Sequence, residues 1–156
     1  MKRSASFYLG IFLIGVLPLV ALNCPSELEK AADLLGNSSA YSVSDATGLP
    51  SFTYSGTTSI TFTSGEVVTE GTFTVSGAAN LPRIVVNSEQ VDFPSSGSYV
   101  AAGTDNITSI TLDGDTGDIT LSVTTFSEDG NTLNFTYSGA EPKAADLATV
   151  TVTTSR

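Results

Sequence analysis

The sequence predicts a mainly β protein, an antiparallel up-and-down barrel with one short helix near its N-terminus. Three observations lead to this prediction. Apolar side chains alternate with Ser or Thr in several short segments, Gly-containing turns separate those segments, and strong helical spacing occurs in one place only. Strands joined in succession by tight turns form an antiparallel meander, and closure into a barrel removes exposed strand edges. A β-sandwich with Greek-key connections is the alternative.

The alternation is clearest in five segments, where every second residue is apolar and those between are polar. Such a period of two places one face of a strand in the core and the other in water. Five weaker segments bring the prediction to eight to ten strands. The clear segments are residues 59–63, 72–76, 119–124, 133–138 and 149–153, and the weaker ones are 40–44, 51–55, 82–87, 97–101 and 106–112.

Three turn signals connect these strands. Asp129-Gly130 stands between two of the segments, and an Asp-Gly pair in that position is a strong hairpin signal. The glycine-rich stretch 113–117 joins residues 106–112 to 118–126, and Ser64-Gly65 joins two earlier strands. Each turn therefore predicts that neighbours in sequence are neighbours in the sheet.

The helical signal is confined to residues 26–35. Ser26 followed by Glu29 matches a capping box, and Gly36 supplies a stop. The apolar residues at helical spacing are Leu28, Ala31, Ala32 and Leu35. We expect a short amphipathic helix that closes one end of the β structure, with a flexible tether as the alternative.

The N-terminus has the pattern of a secretory signal. Lys2 and Arg3 precede an apolar run from Phe7 to Leu22, and its 16 residues fall short of the roughly 20 that cross a bilayer comfortably. The sequence therefore divides into three predicted parts. They are a signal peptide over residues 1–23, an anchor tether with a short helix over 24–36, and an antiparallel β domain over 37–156.

The last residues of this leader, Ala21-Leu22-Asn23-Cys24, resemble the lipobox of bacterial lipoproteins. In that family the Cys thiol carries a diacylglyceryl group and the signal is cut just before it. The resemblance implies a lipid on Cys24 that attaches the protein to a membrane of the bacterial cell envelope, with the outer membrane as the expected location. Ordinary secretion with an unmodified Cys24 and an uncleaved anchor are the alternatives.

Composition excludes several classes of function. Residues 24–156 carry four basic and 16 acidic side chains, a formal charge of −12, and such a surface repels nucleic-acid phosphates. The chain has no His, which removes His-dependent triads and His metal ligands, and its single Cys forms no internal disulfide. We therefore expect no nucleic-acid partner and, since no catalytic constellation is evident, no enzymatic activity.

Acidic residues supply the candidate sites that remain. Asp113, Asp115 and Asp118 alternate with glycines and could surround Ca²⁺, although Asp and Gly also favour plain turns. No other cofactor is expected. Two carboxylate pairs have the residue type that glycoside hydrolysis needs, although any acidic protein offers such pairs. These pairs are Glu128 with Asp129 and Glu66 with Glu70.

Six phenylalanines have two possible uses. Aromatic side chains line small apolar ligand cavities, and they also fill protein cores, which is the more common use. The sequence does not identify ligand-binding residues beyond this choice. The six are Phe52, Phe62, Phe73, Phe93, Phe126 and Phe135.

Short motifs over most of residues 33–139 resemble the small lipocalin-like lipoproteins of Bacteroidota-type bacteria. The motifs are Asp33-Leu-Leu-Gly36, Glu70-Gly-Thr-Phe-Thr-Val-Ser-Gly77, Ser96-Gly-Ser-Tyr99, Ile110-Thr-Leu-Asp-Gly114 and Ser127-Glu-Asp-Gly-Asn-Thr-Leu-Asn-Phe135. The chain lacks the Gly-x-Trp that is usual in such domains and has no Trp. The resemblance implies a lipocalin-like barrel in a lipid-anchored envelope protein, with a small apolar ligand as one option. A β-sandwich surface module that contacts a protein or a polysaccharide is the alternative.

Overall fold

A computed structural model describes residues 24–140 and 148–156, so the predicted signal peptide over residues 1–23 lies outside the described part. Within these ranges the chain forms one α-helix, ten β-strands and a short 3₁₀ turn at Ala78–Asn80. The elements are α1 (Glu27–Leu35), β1 (Tyr41–Thr47), β2 (Ser59–Ser64), β3 (Glu70–Ser76), β4 (Ile84–Val86), β5 (Glu89–Val91), β6 (Ser96–Gly103), β7 (Ile107–Gly114), β8 (Gly117–Phe126), β9 (Leu133–Ala140) and β10 (Ala148–Ser155).

Eight of the strands in the described ranges close into an antiparallel barrel. Its order is β1, β2, β3, β6, β7, β8, β9 and β10, and β10 returns to pair with β1. Across this closing pair Val43 lies opposite Thr154, and Ala46 lies opposite Val152. The predicted up-and-down barrel is confirmed. The β-sandwich alternative is wrong, because the pairing of the first and last strands leaves one continuous sheet.

The alternation of side chains produces the core. On β10, Val150 and Val152 are fully buried, while the threonines between and beside them face outward. Inward-facing apolar side chains of every barrel strand join one cluster. Each such Val, Ile, Leu or Phe contributes about 1.5–3 kcal/mol relative to an exposed position. The Ser/Thr outer face and the apolar inner face thus follow from the period of two.

Helix α1 begins and ends where the sequence predicts. The Ser26 hydroxyl accepts a hydrogen bond from the Glu29 amide at 3.2 Å, and the Glu29 carboxylate accepts one from the Ser26 amide at 2.6 Å. Both bonds of a capping box are therefore present. Gly36 caps the C-terminus in close contact with β2, where a Cβ atom would lie 1.8 Å from the Ser64 hydroxyl oxygen.

The strands β4 and β5 form a small hairpin outside the barrel order. It follows β3 and is attached to β9 through the pair Ile84 and Ala140. Its turn places Asn87 and Ser88 at positive φ. The predicted strand over residues 82–87 is present in shortened form. The strand predicted over residues 51–55 is wrong, because these residues lie in the loop between β1 and β2.

Alternate connections lie at opposite ends of the barrel, and we name the two ends by what covers them. The helix end carries α1 together with the loops at residues 65–69, 104–106 and 127–132. The hairpin end carries β4, β5, the loop at residues 48–58 and the turn between β7 and β8.

Candidate functional site

The interior of the barrel contains packed aromatic side chains. Phe62 on β2 packs edge-to-face against Tyr99 on β6, with ring centres 5.0 Å apart, and against Tyr41 on β1 at 6.4 Å. All three rings are almost completely buried. A barrel of eight strands is about wide enough for side chains to fill it. These rings therefore occupy space that a small apolar ligand would need in a carrier.

Five of the six phenylalanines singled out in the sequence belong to this core. Phe62, Phe73, Phe93 and Phe135 are at most 1% exposed, and Phe126 is 7% exposed. Phe52 is only partly buried, in the loop between β1 and β2. Of the two uses that the sequence left open, the positions of these side chains favour core packing.

The hairpin end is closed by residues from the connection between β3 and β6. Phe93 packs against Tyr137 with ring centres 5.2 Å apart, and Leu81 is buried nearby in the same cluster. The Tyr137 hydroxyl donates a hydrogen bond to the Pro82 carbonyl at 2.8 Å. Burial raises the pKa of Tyr137 well above its ordinary value. This tyrosine is therefore a neutral structural contact and not an acid or base for chemistry near pH 7.

The helix end is closed by α1 and the last residue of the chain. Arg156 donates a hydrogen bond to the Leu35 carbonyl at 2.9 Å, and its guanidinium lies 4.2 Å from the centre of the Tyr41 ring. The Tyr41 hydroxyl donates to the Gly130 carbonyl at 2.8 Å. Burial raises the pKa of Tyr41 to about 12, although the Arg156 charge opposes this rise, and burial lowers the pKa of Arg156.

Of the three predicted calcium ligands, the structure places Asp113 and Asp118 side by side, whereas the Asp115 carboxylate is engaged by Ser95. The Asp115 carboxylate accepts two hydrogen bonds from Ser95, from its amide at 2.9 Å and from its hydroxyl at 2.7 Å. The Ser95 hydroxyl bond is the main reason that the pKa of Asp115 is lowered. Asp113 and Asp118 lie opposite each other on β7 and β8. Among residues 24–140 and 148–156, no group of three or more acidic or Cys side chains is arranged to hold a metal ion.

The same residues form a tight turn. Asp115 lies between the paired residues Gly114 and Gly117, and its carboxylate connects the start of β6 to that turn. The turn, which is one of the two interpretations of this Asp and Gly pattern, is present in the structure, and calcium binding stays a prediction.

Asp129, in one of the predicted carboxylate pairs, also serves a turn. Its carboxylate accepts hydrogen bonds from the Ser127 hydroxyl at 2.6 Å and from the amide and side chain of Asn131 at 3.0 and 2.8 Å. These bonds, with that of Ser127 first, lower the pKa of Asp129 to about 2. A general acid needs a raised pKa, so Asp129 is unsuited to that role. Of the other pair, Glu66 lies in the loop between β2 and β3, and Glu70 is the first residue of β3.

Cys24 is exposed and lies two residues before the N-cap of α1. It borders a groove of about 330 Å³ that is also lined by Pro25, Glu29 and Val68. This places the thiol at the helix end of the barrel, free of the core. In the part of the chain that the structure describes, no helix is both long enough and apolar enough to cross a membrane.

Two contacts that organise the ends of the barrel were not found by sequence reasoning. Arg156 joins β10 to α1, and Ser95 joins the start of β6 to the turn at Asp115. Both contacts span long distances along the chain, so no local pattern marks them. Arg156 is one of only four basic residues between positions 24 and 156, and this scarcity is the one signal that the sequence offers for it.

The sequence matches no family model, no curated protein and no solved structure.

Proposed function

We propose that this chain is a non-enzymatic, lipid-anchored protein of the bacterial cell envelope, attached to the membrane through Cys24. The observation that carries the proposal is the exposed Cys24 thiol, which lies two residues before the N-cap of α1 and directly after the predicted leader. A modifying enzyme needs an accessible thiol outside the folded core, and this thiol is accessible.

The proposed anchor requires more than one acyl chain. Each buried CH₂ group contributes about 0.8 kcal/mol, and a single chain gives only marginal, reversible attachment. A diacylglyceryl group on the Cys24 sulfur supplies two chains. Pro25 and Ser26 alone separate the anchor from α1, so the helix end would stand close to the membrane and the hairpin end would point away.

Charge supports attachment by lipid instead of by electrostatic adsorption. Helix α1 carries Glu27, Glu29 and Asp33, with Lys30 already paired to Glu27 at 2.6 Å. Such a surface repels anionic lipid head groups. We therefore expect membrane attachment to resist high salt, because acyl chains are insensitive to ionic screening.

Because side chains fill the interior of the barrel, we propose that the protein functions through its outer surface. The Phe62, Tyr99 and Tyr41 rings meet across the space where a carrier would hold its cargo. The option of a small apolar ligand inside the barrel has no support from this packing. The proposed protein thus presents a rigid, closed barrel at the membrane and works through the residues on its surface.

The test compares the full chain with Cys24→Ser in a bacterial host. We expect the wild type to partition into the detergent phase and to remain on membranes in high salt, and Cys24→Ser to enter the aqueous phase. Asn23→Gly is the matched control, because it makes the site more like the lipobox and should increase the processed fraction. If Cys24→Ser stays as firmly membrane-bound as the wild type, the proposed anchor is wrong.

A further inference from the structure

The wall of the barrel opens between β8 and β9 toward the hairpin end. These two strands pair from Phe126 and Leu133 up to Ser122 and Thr136, and the ladder then stops. Residues 117–121 of β8 and 137–140 of β9 continue as strands, but within the described ranges they do not pair with each other. We call this gap the seam.

The register of the neighbouring strands fixes which backbone groups face the seam. Gly114 and Gly117 pair across the two-residue turn between β7 and β8, so that alternate residues of β8 exchange hydrogen bonds with β7. Ile119 and Leu121 therefore direct their amides and carbonyls toward β7. Asp118 and Thr120 direct theirs the opposite way, into the seam.

The other side of the seam is held apart by the hairpin. Ile84 pairs with Ala140, which places β4 beside β9 at the hairpin end of the barrel. The Val86 side chain lies against Gly117, where an added Cβ atom would come within 3.1 Å of it. The hairpin thus pairs with the end of β9 in place of β8, and a gap remains between β4 and β8.

Between β4 and β8 lies a groove of about 330 Å³. Its walls are formed by three strands, namely Ile84, Val85 and Val86 of β4, Asp118, Ile119, Thr120 and Ser122 of β8, and Tyr137 and Ser138 of β9. Val85 is 45% exposed, one of three large aliphatic side chains in the described part that are exposed to this degree. The groove therefore combines an apolar wall with a strand edge that no residue of 24–140 or 148–156 pairs with, and the group that satisfies such an edge is the backbone of another strand.

The charge at this edge favours a basic occupant. Asp118 lies directly opposite Asp113 on the outer face, and both are exposed. Neither belongs to an ion pair in the described part of the chain, where the two pairs present join Lys30 to Glu27 and Arg83 to Asp92. Like charges directly across a strand pair are destabilising. A cation on an added neighbouring strand offsets this repulsion.

We propose that the seam binds an extended, basic peptide segment, which adds to the edge of β8 and pairs with the backbone of Asp118 and Thr120. The apolar side chains of the segment contact Val85, and a Lys or Arg lies beside Asp118. Peptide binding at the seam does not depend on Cys24. An experiment can therefore contradict the proposed peptide site without contradicting the proposed anchor, and can contradict the anchor without contradicting the site.

The experiment measures hydrogen–deuterium exchange of the purified protein with a synthetic hexapeptide, Lys-Thr-Val-Thr-Val-Lys, blocked at both ends. We expect saturating peptide to slow exchange of the Asp118 and Thr120 amides by about tenfold or more, as for a newly paired strand edge. The same peptide with Glu at both ends should bind about tenfold more weakly. A version with N-methylated valines, which lack the amide protons needed for pairing, should give no protection.

Two variants locate the site. Asp118→Asn should weaken binding of the Lys peptide about three- to tenfold, whereas Asp105→Asn, an exposed carboxylate at the helix end, should leave binding unchanged. The proposal is overturned if the Asp118 and Thr120 amides are already protected in the free protein, because another part of the chain would then cover the edge. Equal binding of the Glu or N-methylated peptide would also overturn it.

Discussion

The Arg156 guanidinium lies 4.2 Å from the centre of the Tyr41 ring, which joins the residue after the last strand to the first residue of β1. The same guanidinium donates a hydrogen bond to the Leu35 carbonyl at the end of α1. The Arg156 amide donates to the Asn131 carbonyl in the loop between β8 and β9. One residue thus connects β1, α1 and that loop at the helix end of the barrel.

Replacing Arg156 by Ala should therefore destabilise the barrel measurably. Loss of the cation–π contact and of the charged hydrogen bond should lower the free energy of unfolding by about 1–2 kcal/mol. Arg83→Ala is the matched control, because the Arg83–Asp92 pair is exposed on both sides and should contribute less than about 1 kcal/mol. Urea denaturation measures both variants. Equal losses would show that Arg156 does not fasten the helix end.

The filled interior predicts a large effect at Phe62. Phe62→Ala removes a fully buried ring that contacts two tyrosines and should cost about 3–5 kcal/mol of unfolding free energy. Val100→Ala, at a position 48% exposed, should stay within about 0.5 kcal/mol of the wild type. A small loss at Phe62, together with binding of an apolar fluorescent dye inside the wild-type barrel, would indicate an interior with room for a ligand.

The approach of Gly36 to β2 predicts a contrast between two glycines. A Cβ atom at Gly36 would lie 1.8 Å from the Ser64 hydroxyl oxygen, whereas one at Gly65 would have its nearest neighbour at 3.4 Å. Gly36→Ala should therefore destabilise the protein by about 1–3 kcal/mol through overpacking, and Gly65→Ala by less than about 1 kcal/mol. Thermal unfolding would contradict this account if both variants melted at the same temperature.

The hydrogen bonds to Asp129 predict an acid-sensitive turn. Its pKa is lowered from an ordinary 3.8 to about 2, so the ionised carboxylate stabilises the folded state above pH 3.8. That contribution is lost as the pH falls from 3.8 through about 2. Ser127→Ala removes the main cause and should raise the pKa of Asp129 toward 3.8 in a carboxyl NMR titration. Ser95→Ala, which affects Asp115 instead, should leave the pKa of Asp129 unchanged.

Local sequence patterns correctly predicted those elements of the fold that depend on residues close together in the sequence. The Ser26 and Glu29 capping box, the alternating strands and the Asp129-Gly130 turn all depend on neighbours in sequence. The pairing of β1 with β10 is what distinguishes a barrel from a sandwich, and it joins residues more than 100 positions apart in the sequence. No local pattern specifies such a contact, because alternating strands suit both architectures.

The pentapeptide Phe-Thr-Tyr-Ser-Gly also shows that local sequence alone does not determine the structure. It occurs at residues 52–56 and again at 135–139. The second copy lies on β9, where it pairs with β10 and, at Phe135 and Thr136, also with β8, whereas the first lies in the loop between β1 and β2. Identical local propensity thus gives a strand only where pairing partners are available.

The surroundings of the candidate site residues depend on contacts that residue type alone does not specify. Residue type suggested ion ligands at Asp113, Asp115 and Asp118, but the directions of the side chains depend on β6, whose Ser95 neighbour engages Asp115. The seam could not be anticipated either, because it results from the hairpin at Ile84 meeting Ala140. Cys24 is different, since its position after the predicted leader is a property of the sequence alone.

The most direct test of the central claim is the mass of the N-terminal peptide of the protein extracted from the membranes of a bacterial host that expresses the full chain. We expect a peptide that begins at Cys24, lacks residues 1–23 and carries the mass of a diacylglyceryl group on the Cys24 sulfur. A peptide with unmodified Cys24, or one that retains residues of the leader, would contradict it.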